Sequence, residues 1–98
     1  MKLEQALITL RNAEPTLRAK GIVHAGIFGS TARGEHHAGS DIDVIVDFDP
    51  SAPITVYDYV AVKNDIAKLF KQPVDVIDRR GLKPDLRQPV ARDAVYAF

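Results

Sequence analysis

The chain has 98 residues and a mass of 10.8 kDa, which suits one compact domain spanning residues 1–98 and leaves too little for a second core. Its 46% apolar and 27% charged content argues against disorder, and thirteen basic residues balancing thirteen acidic ones provide no global field, so no direct binding to nucleic acid is expected. The absence of Cys excludes a disulfide framework, a thiolate metal site and a thiol nucleophile; no run approaches the ~18 apolar residues of a membrane span, so a cytoplasmic location is expected.

Leu3, Leu7, Leu10 and Leu17 recur on one helical face with Ala6 and Ala13 between them. Pro15 splits this region into a helix to about Asn12 and a shorter one to about Lys20, ended by Gly21. The apolar, partly β-branched run Ile22–Phe28 predicts a buried strand, and the polar stretch from Arg33 to Ser40, with Gly34 and Gly39, a loop. From Asp41 to Phe48 the pattern alternates: Ile42, Val44, Val46 and Phe48 on one face, Asp41, Asp43, Ile45 and Asp47 on the other. Pro50 and Pro53 end that strand. Tyr59, Val62, Ile66 and Leu69 then follow helical spacing between about Thr55 and Lys71, and Val74–Asp78 is a short strand with Asp75 and Ile77 opposite Val74 and Val76. Pro84 suits the start of a last helix whose length Pro89 limits, and Ala94–Phe98 is β-prone. The order α, α, β, β, α, β, α, β predicts an α/β (α+β) fold: a small mixed sheet with helices on one face and an open, carboxylate-bearing face on the other.

The chemistry lies on that open face. Asp41 and Asp43, two apart on a strand, put their Cα atoms about 6.6 Å apart on one side. Carboxylates that close repel unless a cation sits between them, and hard oxygen ligands with open positions suit Mg²⁺, which prefers a few carboxylates plus substrate phosphates to an all-protein cage. Asp47 lies roughly 13 Å beyond Asp43 by the same rise and Asp49 adjoins Pro50, so both are expected to be solvated turn residues. Gly29-Ser30 ends the first strand just where a short turn of helix can offer backbone N–H groups and a hydroxyl to a phosphate, and Arg33, one turn further on, can pair with phosphate oxygens. Gly-Ser and Asp-x-Asp are each weak alone, and Asp-x-Asp also occurs in haloacid dehalogenase phosphatases and in glycosyltransferases. In the dehalogenases, however, the aspartates end an apolar strand, whereas here the apolar run follows them. The combination G-S-x10-D-x-D, filled in as GSTARGEHHAGSDIDVIV, is far more specific.

With those residues the sequence resembles the polymerase-beta-like nucleotidyltransferases, and most closely the minimal nucleotidyltransferases, many of them antitoxins paired with an HEPN-family toxin. The resemblance runs from the leading helices through FGSTARG, SDIDVIVDF and PVDVID to AVYAF. It implies that Gly29 and Ser30 bind nucleotide phosphates, that Asp41 and Asp43 hold two Mg²⁺ ions, and that a third carboxylate on a later strand completes the site. Asp75 fits that third place better than Asp78, because it falls between core-facing Val74 and Val76 and points to the open face. The activity so implied is transfer of AMP from ATP to an acceptor hydroxyl, a tyrosine of an HEPN toxin bound as a hetero-oligomer, with Arg33 assisting at the phosphates. Two rivals are an antitoxin that neutralises its partner by contact alone and a nucleotidyltransferase acting on a small-molecule hydroxyl. Outside this constellation, His36 and His37 are expected to be solvated loop residues, with contact to nucleotide as the alternative. His24 is expected to be a satisfied strand histidine, and Arg79-Arg80 a solvated turn, with reach to a phosphate or an acidic partner as the alternative. Tyr59 is expected to be part of the core stripe and Tyr57 exposed.

Overall fold

The computed structural model describes residues 2–34 and 41–98. The chain runs α1 (Leu3–Asn12), α2 (Glu14–Ala19), β1 (Ile22–Phe28), α3 (Gly29–Ala32), β2 (Ile42–Phe48), α4 (Val56–Leu69), β3 (Val74–Asp78), a 3-10 turn (Arg79–Gly81), α5 (Pro84–Asp93) and β4 (Val95–Tyr96). One sheet has the order β3-β2-β1-β4; β2 and β3 are parallel, and β1 is antiparallel to both β2 and β4. The expected mixed sheet and the expected order of the long elements are both present.

The core forms where the two periodicities meet. Ala6, Leu7 and Leu10 of α1, Leu17 of α2 and Val62 and Ile66 of α4 bury one helical stripe each against Ile22, Ala25 and Ile27 of β1 and Ile42, Val44, Val46 and Phe48 of β2. Each large aliphatic side chain so removed from water contributes about 1.5–3 kcal/mol. A capping box starts α4: Asp58 N donates to Thr55 Oγ1 (3.3 Å), and Thr55 N donates to Asp58 Oδ2 (2.8 Å). At the other end the sequence stripe is off by one residue. Leu69 is 38% exposed and Phe70 takes the core place, because the helix stops at Leu69 and Phe70 turns to extended backbone (φ −111°, ψ 147°).

β4 closes the free side of β1 over a glycine. A Cβ on Gly26 would lie 2.7 Å from the Val95 carbonyl oxygen and 2.9 Å from Tyr96 Cα, so no side chain is tolerated where the two strands meet. Arg11 Nε donates to the Ala97 carbonyl (3.0 Å), and the Arg18 guanidinium lies 5.1 Å from the centre of the Phe98 ring. His24 is the satisfied strand histidine expected, with Nδ1 3.3 Å from the Phe98 carbonyl oxygen and its ring edge-on to Tyr96.

Three expectations need correction. α5 continues through Pro89 to Asp93. Proline deletes one helical hydrogen bond, to the Asp85 carbonyl, and because α5 has no buried residue that carbonyl can be met by water. The carboxylate-bearing face is not fully open either: Ile45, which shares it with Asp43 and Asp47, is 1% exposed, and the 3-10 turn after β3 lies against β2. Finally, Asp47 is no solvated turn residue. It is a strand residue, paired in register with His24, and its Oδ1 lies 3.0 Å from Arg79 Nε. Arg79 is thereby engaged rather than simply solvated. Asp49 does sit in a turn, accepting from Ser51 N (2.9 Å) and Ser51 Oγ (2.7 Å).

Candidate active site

Strand register assembles the site. Phe28, the last residue of β1, is the antiparallel partner of Asp43, and Asp43 is the parallel partner of Asp75. Neighbouring strands run about 4.8 Å apart, so the Gly29-Ser30 turn, Asp43 and Asp75 form a short row across β1, β2 and β3. Asp41 is exposed just before β2, and Asp75 is also exposed, while Asp43 is half-buried. Asp78, the less favoured third carboxylate, is occupied elsewhere: its Oδ1 accepts from Arg80 N (3.0 Å), capping the 3-10 turn.

Gly29 is fixed by backbone and by space. Its φ is +73°, a region costly to residues with a Cβ, and an added Cβ would stand 3.2 Å from Asp43 Cγ and closer still to Oδ2. The backbone of the turn therefore approaches the carboxylate directly. Ser30 is the second residue of the single helical turn α3, half-buried. Thr31 follows, 1% exposed, and its Oγ1 has no hydrogen-bond partner among the described residues. Sequence offered no signal for that hydroxyl, since a threonine after Gly-Ser looks like any turn residue.

The electrostatics belong to a crowded carboxylate group. Burial raises Asp43 above the ordinary carboxylate range, and the negative charges of Asp75 and then Asp41 raise it further; the nearby Arg33 guanidinium opposes them. Arg33 is tied to α5 by Nη1 at 3.1 Å from Asp93 Oδ2. That partner was invisible in the sequence, sixty residues away on a helix with no motif. Tyr59 borders the same group from the core side. Its hydroxyl donates to the Val76 carbonyl (2.5 Å), and burial, then Asp75 and Asp78, push it above the usual phenol value. His36 and His37 lie outside the described residues.

Asp41, Asp43 and Asp75 are hard oxygen donors held within electrostatic reach of one another, a donor set that fits Mg²⁺. Among the described residues no three His, Asp or Glu side chains stand close enough to enclose a metal by themselves. Shared coordination with substrate phosphates is the arrangement Mg²⁺ favours and the one this geometry allows. No helix among the described residues is long and apolar enough to cross a membrane.

Comparison with known proteins agrees with this geometry. The model of the nucleotidyltransferase domain family matches residues 10–97. A protein of Methanocaldococcus jannaschii that carries the provisional name protein adenylyltransferase MJ0435 is 33% identical over 85 residues, covering 87% of this chain and 89% of the relative. Protein adenylyltransferase MntA of Thermococcus cleftensis is 29% identical over 99 residues, covering 93% and 98%. A solved structure provisionally described as a minimal nucleotidyltransferase superposes with TM-score 0.76 at 38% identity, covering 97% of this chain and 95% of that one. Two more distant structures share the fold. A toxin–antitoxin complex with AMP-PNP has TM-score 0.71 at 23% identity over 90% of this chain and 72% of that one. A tri-AMPylated Shewanella oneidensis HEPN toxin in complex with MNT antitoxin has TM-score 0.66 at 18% identity over 95% and 71%. With its Gly-Ser turn seated on an Asp-x-Asp strand and a family match over nearly its whole length, the chain belongs to the nucleotidyltransferase domain family and, within it, to the minimal nucleotidyltransferases.

Proposed function

We propose that the chain is a cytoplasmic protein adenylyltransferase that moves AMP from ATP to a tyrosine hydroxyl of a partner HEPN toxin and so acts as its antitoxin. The observation that carries this is the packing of Gly29 against Asp43 with Asp43 in register with Asp75, which puts the Gly29-Ser30 turn beside a row of carboxylates. Support comes from relatives named protein adenylyltransferases and from fold neighbours described with AMP-PNP or with an AMPylated HEPN toxin. A bare contact antitoxin has no use for a carboxylate cluster that raises Asp43 at a cost to folding.

Ser30 and the adjoining backbone N–H groups hold the β- and γ-phosphates, and Arg33 pairs with their oxygens. Asp41, Asp43 and Asp75 would hold Mg²⁺, two ions in full, which when bound supply charge neutralisation along the triphosphate. The acceptor oxygen attacks the α-phosphorus in line with the departing pyrophosphate. Exposed Asp75 is placed to accept the acceptor's proton. For a second transfer, motivated by the fold neighbour described with a tri-AMPylated toxin, the attacking group in this proposal is a ribose hydroxyl of the AMP already attached.

The deciding experiment incubates the chain, Mg²⁺ and labelled ATP with the product of the neighbouring gene. Label in the α-phosphate is expected to reach that protein and label in the γ-phosphate is not. Transfer of the γ label would make the chain a kinase and overturn the assignment.

A further inference from the structure

Formal neutrality conceals a lopsided distribution. Residues 79–92, RRGLKPDLRQPVAR, contain five basic side chains and one acidic, a surplus of four positive charges in fourteen residues that the rest of the chain offsets. These residues form the 3-10 turn and most of α5, and between the two lies a groove of about 380 Å³ lined by Arg79, Arg80, Arg87, Gln88 and Ala91. Two of the three guanidinium groups, those of Arg79 and Arg87, are held by contacts through Nε, and Arg80 stands beyond hydrogen-bond distance of its carboxylate neighbour. Arg79 reaches Asp47 (3.0 Å), Arg80 is 3.8 Å from Asp78, and Arg87 donates to the Leu82 carbonyl (3.2 Å). A guanidinium has five N–H donors, and one contact through Nε uses one of them.

The groove belongs to the face that carries the site. Asp47, which anchors Arg79, is on the same side of β2 as Asp43, and the far end of α5 is tied beside Asp43 by the pair between Arg33 and Asp93. Along β3, Arg79 lies four residues beyond Asp75, about 13 Å at the usual strand rise. Guanidinium planes pair bidentately with phosphodiester oxygens and stack on bases, and their aliphatic stems line the remaining space.

We infer that the groove between the 3-10 turn and α5 is a binding site for the adenylate already attached to the acceptor, holding that nucleotide while its ribose hydroxyl is presented for another transfer. The inference rests on the adenylyltransferase function proposed above. In the later transfer a bond forms between the ribose oxygen and the α-phosphorus of a new ATP, the bond from that phosphorus to pyrophosphate breaks, and the ribose proton leaves to base. A second acceptor of this kind carries a phosphodiester charge that a neutral tyrosine lacks, and the arginines suit that charge.

The test uses the full chain with fluorescent triadenylate, ATP, and the partner encoded by the neighbouring gene. Wild type is expected to bind triadenylate, and Arg80→Gln with Arg87→Gln to weaken it about tenfold or more, with the salt slope reduced by about 0.7 per arginine lost. ATP affinity should stay within about twofold. On the partner, mass spectrometry should show several AMP units from wild type and arrest after the first from the variant. If the double variant melts early, Arg80→Glu alone serves, since Arg80 is exposed and its nearest carboxylate is 3.8 Å away. Unchanged triadenylate affinity overturns the inference, as does addition of a single AMP by wild type. Much tighter binding of a structured RNA to the same arginines would make the groove an RNA site, and loss of the partner complex itself would make it a protein-docking site; either replaces the adenylate. Absence of any transfer by wild type would sink the proposed function, while triadenylate binding would still report on the groove.

Discussion

Gly29 and Asp43 are in contact that only a glycine permits: a Cβ at position 29 would be 3.2 Å from Asp43 Cγ, on a backbone whose φ is +73°. Gly29→Ala therefore meets two penalties, about 1–2 kcal/mol for a left-handed conformation and the displacement of a carboxylate that the proposed reaction needs. It is expected to melt lower than wild type and to lose AMP transfer by about 100-fold or more. Wild-type turnover in a purified, folded Gly29→Ala protein would show that the turn and the carboxylate do not act together.

Ser30 and Asp43 should fail differently. In the proposed mechanism Ser30→Ala removes one hydrogen bond to a charged phosphate, about 1.5–3 kcal/mol, and should chiefly raise the ATP concentration required. Asp43→Asn keeps the shape but removes a charge needed opposite the developing transition state, so it should lower turnover far more than ATP affinity. Initial rates across ATP concentrations for both variants separate the two. Loss of only a few-fold in each would place the site elsewhere.

Arg33 is shared between the site and α5. Exposed ion pairs contribute about 0–1 kcal/mol, so Asp93→Ala should leave melting nearly unchanged. It also removes a carboxylate that competes with phosphate for the guanidinium, and ATP should bind a few-fold more tightly. Titration with ATP decides; weaker binding would mean that Asp93 orients Arg33 for its ligand.

Thr31 presents an inexpensive check on the site's construction. Its hydroxyl is buried without a partner among the described residues, and such a group costs about 1–3 kcal/mol. Thr31→Val has the same shape without the polar atom and should stabilise the ATP-free protein. A lower melting temperature would show that the hydroxyl is hydrogen-bonded after all.

What was legible in the sequence was whatever depends on period and local chemistry. Alternation in β2 and β3 put Asp41, Asp43 and Asp75 on one side, and strand register then brought Asp43 and Asp75 side by side. The helical stripe found Val62 and Ile66 but overran the end of α4, where Phe70 replaces Leu69, since stripe spacing does not say where a helix stops. Long-range pairings left no local trace. Asp47 looked like a turn residue until Arg79 met it from thirty-two positions away, and Arg33 gave no sign of Asp93. Pro89 misled because a helix breaker matters less on a helix with no buried residue than its propensity suggests.

The carboxylates should also be readable in stability. Burial, then Asp75 and Asp41, raise Asp43 in the folded protein above its value in the unfolded chain. The folded state therefore binds a proton more readily than the unfolded state, and stability falls as pH rises from the unfolded value, about 3.9, through the raised folded one. Above that window the whole cost of the charged carboxylate is present; below about pH 3.9 it has vanished. In EDTA at neutral pH, Asp43→Asn should consequently melt higher than wild type, and Asp41→Asn and Asp75→Asn should do so by less, each removing one repulsive neighbour. The advantage of Asp43→Asn should shrink as pH falls through the window. Mg²⁺ with ATP, binding only the folded form, should raise the melting temperature of wild type and do much less for Asp43→Asn. Melting curves of the four proteins between neutral pH and about pH 3.9 provide the measurement. If Asp43→Asn melted lower than wild type at neutral pH, Asp43 would be a structural partner of a buried donor, and the metal-binding role would lose its physical basis.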